Sequence, residues 1–124
     1  MTLQLSPSDI RYTQDSIGSR FRNGITLSRT ISDLVKGTIT PDSFPTITVY
    51  QKDGKYYSYD NRRLYVFKEL QRRSQPDLKI KVCLTSAALS PLKFTTHNDG
   101  QSIMVRGNSS TLDLLSMSFD DLFL

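Results

Sequence analysis

Four consecutive polar residues, Asp60, Asn61, Arg62 and Arg63, lie where a predicted strand passes into a predicted helix. The first N–H groups of a helix have no partner within the helix, and the helix dipole favours an anion beside them. Two guanidinium groups at the same point add positive charge and the paired donors that match phosphate oxygens. The run therefore predicts a phosphate site made by Asn61, Arg62, Arg63 and nearby backbone amides. The alternative is that Asp60 or Asn61 only caps the helix and that both arginines are solvated.

A helix is predicted upstream of this run. A hydroxyl cap at Thr26 or Ser28 can start it, and Gly37 can end it with a positive φ. Apolar residues recur between these points at the spacing of one helical face. The residues of that face are Leu27, Ile31, Leu34 and Val35.

A hairpin and a second helix are predicted to hold the polar run directly. Residues 46–50 and 56–59 read as two strands joined by a turn at Asp53-Gly54, because glycine adopts positive φ without steric cost. The helix is predicted over residues 62–73 and is stopped by Pro76. Its buried stripe consists of Leu64, Val66 or Phe67, and Leu70.

The later part of the chain predicts more β structure. Residues 78–84 alternate as a half-buried strand with its lysines outward, and Cys83 is expected to be a buried small hydrophobe. Residues 93–96 and 102–105 predict a second hairpin, with His97 exposed and without function beside its tip. The apolar tail over residues 112–123 either covers the core or binds a protein partner; covering the core is favoured, because exposed apolar side chains promote aggregation.

Composition bounds the class of protein. The chain has 124 residues, of which 37% are hydrophobic and 23% charged, typical of one globular domain. No apolar run is long enough to span a membrane, and the first residues do not resemble a secretory signal. One cysteine and one histidine exclude an internal disulfide and a Cys/His zinc cluster. We therefore expect a single domain over residues 1–124, in a reducing compartment, the cytoplasm.

Charge is unevenly distributed along the chain. Residues 61–106 contain nine Lys and Arg against three acids, whereas residues 107–124 contain three acids and no base. A basic middle segment favours a polyanionic partner, such as a nucleotide or a nucleic acid. The alternative is that these charges are the solvated faces of a helix and a strand. The acidic tail is the segment that would dock a protein partner.

The order of these elements resembles that of the ParB/sulfiredoxin superfamily over residues 10–84. Sulfiredoxins have a similar Pro-Asp-Ser-Val-Pro entry to the hairpin and a phosphate-binding Gly-Gly-Cys-His-Arg turn, and ParB proteins have Gly-Glu-Arg-Arg at that turn. The matching segments here are residues 31–34 (Ile-Ser-Asp-Leu), 41–45 (Pro-Asp-Ser-Phe-Pro), 47–49 (Ile-Thr-Val) and 54–67. The resemblance implies a small α+β domain with a mixed curved sheet and two main helices.

The resemblance also implies a function. It indicates binding of a nucleotide (ATP or CTP) or nucleic-acid phosphate, with hydrolysis of a phosphoester or phosphoanhydride by an NTPase or a DNase-like, toxin-related enzyme. Arg62 and Arg63 would neutralise phosphate charge, with Arg63 aligned to the phosphate-binding arginine of both families. A carboxylate, Asp15 or Asp60, would position water or Mg²⁺. The alternative is a non-catalytic module that binds DNA or a nucleotide.

Two departures from the sequence pattern of the family argue against two of its known activities. Asn61 stands where sulfiredoxins keep their catalytic cysteine, and a carboxamide cannot form the thiosulfinate adduct, so we expect no sulfiredoxin activity. The ParB glycine and glutamate are absent from the turn, and no helix-turn-helix region follows it, which argues against a chromosome-partition clamp.

Polar residues lie between Ile10 and Ile17 near the start, in the run Ile-Arg-Tyr-Thr-Gln-Asp-Ser-Ile. This opening, coupled to the Asp-Asn-Arg-Arg turn, resembles that of ParB/sulfiredoxin-like domains in bacterial polymorphic toxins. In such a site Gln14 and Ser16 would contact a base or a phosphate. Asp15 would hold a divalent metal or act as a general base, since a carboxylate is a hard oxygen ligand. The alternative is a turn in which Asp15 caps a short helix over residues 16–21.

Overall fold

A five-stranded mixed sheet with two helices on one face forms the main body of the chain. The computed structural model describes residues 2–86, 95–96 and 98–106. Within them, the two helices pack on the large sheet, and a second sheet has two strands, so this part is a small α+β domain. The strands are β1 (Thr2–Leu5), β2 (Ile10–Arg11), β3 (Ser16–Gly18), β4 (Ile47–Lys52), β5 (Lys55–Ser58), β6 (Ile80–Thr85) and β7 (Met104–Arg106). The helices are α1 (Leu27–Lys36) and α2 (Asn61–Arg73).

The large sheet has the strand order β1-β6-β4-β5-β2. The pairs β1–β6 and β4–β5 are antiparallel, whereas β4–β6 and β2–β5 are parallel. The predicted hairpin is confirmed as β4 and β5. Its turn has φ of 53° at Asp53 and 76° at Gly54, the positive values of the turn that matches strand twist.

Both predicted helices are confirmed, with small corrections. The Thr26 hydroxyl caps α1 by accepting from the Arg29 N–H, and Gly37 ends it at φ 81°. The inward face of α1 includes Thr30, whereas Val35 is 41% exposed and does not belong to it. Helix α2 begins one residue earlier than predicted, with Asn61 buried.

The core lies between the helices and one face of the sheet. Period-2 alternation sends every second residue of β4 and β6 toward the helices. Removing these side chains from water stabilises the fold by about 25 cal/mol for each Å² of apolar surface that is buried. The main buried residues of this cluster are Ile10, Ile31, Leu34, Ile47, Val49, Leu64, Phe67, Leu70 and Val82. No helix within the described residues is long and apolar enough to cross a membrane.

Three sequence-based expectations about local structure are wrong. Cys83 is exposed, because the alternation of β6 places it on the same face as Lys81. Residues 16–18 form strand β3 rather than the start of a helix. The predicted second hairpin is not formed by the described residues. Strand β7 pairs with β3 in parallel, and the backbone N–H groups of residues 95 and 96 donate to the Thr13 carbonyl instead of to β7. Residues 93 and 94, His97 and the tail over 107–124 lie outside the described residues.

Candidate functional site

An open cavity of about 1000 Å³ lies where β5 passes into α2. The strand-to-helix turn lines it together with residues of the 21–25 loop, of α1 and of the 39–45 segment. Five of its lining residues carry charge: Arg22, Asp33, Asp60, Arg62 and Arg63. The cavity therefore contains the predicted polar run together with a cation from a distant loop.

Asp60 holds the N-cap position of α2 without capping the helix. One oxygen of its carboxylate accepts the Thr48 N–H at 3.0 Å, and the other accepts from Arg63 at 2.7 Å. Because the carboxylate is turned toward these groups, no side chain among the described residues caps α2. Its first-turn amides therefore keep their hydrogen-bonding capacity and the partial positive charge of the helix end.

Arg63 is an organising residue of this wall. Its Nη2 forms the ion pair with Asp60, and its Nη1 donates to the Pro45 carbonyl at 2.7 Å. The Arg63 side chain is only 22% exposed. Arg63 therefore joins the turn to the residue 41–45 loop, and Asp60 offsets its charge.

Arg62 and Arg22 supply the cationic side of the cavity. Arg62 donates to the Arg20 carbonyl at 2.8 Å, which ties the following loop, residues 21–25, to α2. That loop closes as a narrow hairpin, with the Phe21 N–H donating to the Ile25 carbonyl at 2.9 Å. Arg22 stands exposed within it and forms no hydrogen bond or ion pair with the described residues. Neither arginine is paired with a described acid, so both charges are available to an anionic ligand.

The side chain of Asn61 is 6% exposed and holds a neighbouring segment. It accepts the Thr13 N–H at 2.9 Å and donates to the Thr13 hydroxyl at 2.9 Å. The predicted contact between this carboxamide and a phosphate would have to compete with both bonds. The backbone of Asn61, rather than its side chain, is the part placed to receive an anion.

The structure separates the predicted residues into two groups. Gln14 lines the cavity with the polar run, whereas Asp15 and Ser16 are not part of its lining. The Asp15 carboxylate lies 3.4 Å from the Thr95 hydroxyl, and Ser16 accepts from Arg106 at 2.6 Å, so both sit beside β7. The described residues contain no group of three or more His, Cys, Asp or Glu side chains that could hold a metal ion.

Sequence reasoning missed the aromatic side of the cavity. Phe21, Phe44 and Tyr59 line it together with Ile25 and Ile39. The alternation of β5 could have indicated Tyr59, because that residue continues the strand directly into the turn. The two phenylalanines come from loops, where no local pattern reveals that they converge.

Comparison with protein-family models, with curated protein sequences and with solved structures finds no match to this chain.

Proposed function

We propose that this domain binds a phosphate group of a nucleotide or a nucleic acid in the cavity at the start of α2. One observation carries the proposal: the side chain of Asp60 does not cap α2, and the cavity at this uncapped helix start is also lined by Arg22 and Arg62. Backbone N–H groups at a helix N-terminus bind anions, and guanidinium groups bind phosphate oxygens in pairs.

The apolar lining supports a phosphate carried on a larger molecule. Phe21, Ile25 and Phe44 share the cavity with the arginines. Aromatic and aliphatic walls with a few polar groups are typical of ligand sites, and a base or a sugar would bury such surface. An inorganic phosphate would leave it in water.

A domain of the ParB/sulfiredoxin type is the family assignment we propose. Two features support it. Short sequence motifs occur in the same order as in that superfamily, and the chain passes from β5 through the double arginine into α2 and then into β6. A phosphate site at this turn is what the resemblance implies. The assignment stays a proposal, as do the cytoplasmic location and a protein partner for the acidic tail.

Binding is better supported than hydrolysis. An NTPase or nuclease using Asp15 and Asp60 with Mg²⁺ needs both carboxylates near the phosphate. Asp15 lies beside β7, outside the cavity lining, and Asp60 is ion-paired with Arg63. Hydrolysis of ATP, of CTP or of DNA remains a prediction, and the non-catalytic binding module is the function we propose.

The test is ligand affinity in charge-removing variants. Arg22→Gln and Arg62→Gln should each weaken binding of ATP, CTP or oligothymidylate by about ten- to hundredfold, the loss of a charge-assisted hydrogen bond. Arg72→Gln is the control, because it removes the same charge from the far end of α2, where Arg72 pairs with Glu69. Equal affinities in all three folded variants, or no binding by the wild type, would overturn the proposal.

A further inference from the structure

The face of the large sheet opposite the helices has its own chemistry. Alternation sends Ile47, Val49 and Val82 into the core, so the residues between them project to the other side. Thr48 pairs with Cys83 across β4 and β6, and Tyr50 and Lys81 follow on the same side. We call these four residues, Thr48, Tyr50, Lys81 and Cys83, the β4–β6 face. Cys83 and Lys81 are exposed, and Tyr50 is half-buried.

This side of the sheet is cationic. The five strands contain no Asp or Glu. Strand register places all four of their cations on the side opposite the core, since Arg11 pairs with Tyr57, Tyr57 with Tyr50, and Lys52 with Lys55. The four cations are Arg11, Lys52, Lys55 and Lys81.

One acid from outside the sheet offsets part of this charge. Asp99 accepts from Lys55 at 2.8 Å and from Arg11 at 2.9 Å, and it also accepts from the Tyr57 hydroxyl at 2.5 Å. These contacts lie at the β5–β2 end of the sheet. Lys81 lies on β6, two strands away from β5, and it forms no ion pair with the described residues, although Asp42 lines the same small cavity.

Tyr59 connects the cavity to the β4–β6 face. It lines the cavity, and its backbone N–H donates to the Thr48 carbonyl at 2.9 Å. The Tyr50 hydroxyl is close enough to Tyr59 to contribute, after burial, to raising its pKa. Tyr59, directly after β5, and Tyr50 on β4 therefore belong to neighbouring strands, which are about 4.8 Å apart. Lys81 lies on β6, the strand next to β4, two residues before the Cys83 that pairs with Thr48.

We propose that the ligand is a single-stranded nucleic acid that runs from the cavity over Tyr59 and Tyr50 toward Lys81; this inference rests on the phosphate site of the proposed function. The complementarity is chemical: unpaired bases stack on tyrosine rings, and the phosphates between them meet a surface of lysine and arginine. A duplex keeps its bases stacked on each other, so it could not use the rings. A mononucleotide would fill the cavity and leave the β4–β6 face empty.

The first test uses Cys83, the only cysteine of the chain, as a reporter on this face. N-ethylmaleimide, a neutral reagent, should alkylate Cys83 in the free protein. Saturating octathymidylate should slow this reaction at least several-fold, whereas saturating thymidine monophosphate should not. Equal alkylation rates with and without bound octathymidylate would overturn the proposed path over the sheet.

The second test is the dependence of affinity on length and on face residues. Oligothymidylates of two, four and eight nucleotides should bind with rising affinity and steep salt dependence. Tyr50→Leu keeps apolar bulk without the ring. It should weaken the binding of octathymidylate by roughly five- to hundredfold and leave the affinity for thymidine monophosphate unchanged. Lys81→Gln should weaken the binding of the longer oligomers only. Lys36→Gln, which removes the same charge at the end of α1, is the control.

The outcomes separate the two proposals. If thymidine monophosphate and octathymidylate bind equally and the face variants bind like wild type, the single-strand path is wrong and the phosphate site stands. If duplex DNA binds as tightly as the single strand, the stacking role of the tyrosines is wrong. If neither mononucleotide nor oligomer binds, both proposals are overturned.

Discussion

The buried carboxamide of Asn61 accepts the backbone N–H of Thr13 and donates to the hydroxyl of the same residue, both at 2.9 Å. The Thr13 hydroxyl in turn donates to the Ser58 carbonyl at 2.8 Å. Asn61 and Thr13 are 6% and 1% exposed. This closed set of bonds fixes the segment after β2 against the turn from β5 into α2, and with it the wall of the cavity.

We predict that Asn61→Ala lowers the free energy of unfolding by about 1–3 kcal/mol. The substitution leaves the buried Thr13 N–H without an acceptor, and an unsatisfied buried donor loses its full hydration. Urea unfolding measures the change. The same substitution at Asn23, which is exposed, is the control and should cost less than half as much. A loss at Asn61 no greater than at Asn23 would show that the pair with Thr13 contributes little.

We predict that Gly100→Ala destabilises the fold far more than Gly54→Ala. Both glycines have positive φ, 72° and 76°, so both substitutions carry similar backbone strain of about 1–2 kcal/mol. A Cβ on Gly54 meets open space, whereas one on Gly100 would clash with the Tyr12 carbonyl and lie 2.8 Å from the Arg11 Cβ. Chemical denaturation should separate the two variants by at least about 2 kcal/mol. Matching midpoints would mean that the residue 98–101 turn does not pack on Tyr12 this closely.

We predict that Arg63 and Arg22 differ in their effects on stability. Arg63→Gln removes a partly buried ion pair with Asp60 and changes the bond to Pro45, so the free energy of unfolding should fall by about 1–2 kcal/mol. Arg22→Gln removes an exposed cation without a described partner and should stay within about 0.5 kcal/mol. Thermal unfolding without ligand checks both. A stability loss in the Arg22 variant equal to that in the Arg63 variant would contradict this division of roles.

We predict that Lys68 makes stability rise with pH in the alkaline range. Burial, followed by the Arg11 charge, lowers the pKa of Lys68 to about 8 from 10.5. The Tyr12 ring, 4.4 Å from Nζ, attracts the charged form and works against this shift. Because the pKa is lower in the folded state, the cost of burying the charge is fully present below about pH 8. It is relieved as the pH rises toward 10.5.

The matching experiment compares wild type with Lys68→Met between pH 7 and 10. Wild type should gain stability relative to this variant by on the order of 1 kcal/mol, after allowance for solvent screening of a partly exposed group. Lys36→Met, at the exposed end of α1, should show no such trend. Parallel pH profiles for wild type and Lys68→Met would refute the pKa shift.

The parts of the fold that the sequence predicts are those specified locally. The turn at Asp53-Gly54 joins neighbouring strands, and a cap and a glycine bound α1 within a dozen residues. Parallel pairing of β3 with β7 joins Ile17 to Val105, and no short-range pattern specifies such a partner. Cys83 is different, because the period of β6 alone puts it on the exposed face with Lys81, whatever the apolar character of its side chain.

The candidate site shows the same division. The double arginine and the helix start could be located from the sequence, since both lie in one run of residues. Their partners could not, because Arg62 bonds to the Arg20 carbonyl and Arg63 to the Pro45 carbonyl, 42 and 18 residues away. Asn61 has the residue type of a cap or a ligand contact, and only its burial against Thr13 shows a structural use.

The pairing of β1 has a consequence for synthesis on the ribosome. Leu5 pairs with Ile80, 75 residues later in the chain, and within the described residues β6 is the only partner of β1. At a synthesis rate of about 5–20 residues per second, roughly 4–15 s pass between the addition of Leu5 and that of Ile80. During that interval α1 and the β4–β5 hairpin are synthesised, but the sheet still lacks β6. The apolar side chains of the unfinished sheet are then accessible to chaperones. Within the described residues, the sheet is completed only once β6 is available to join β1 to β4.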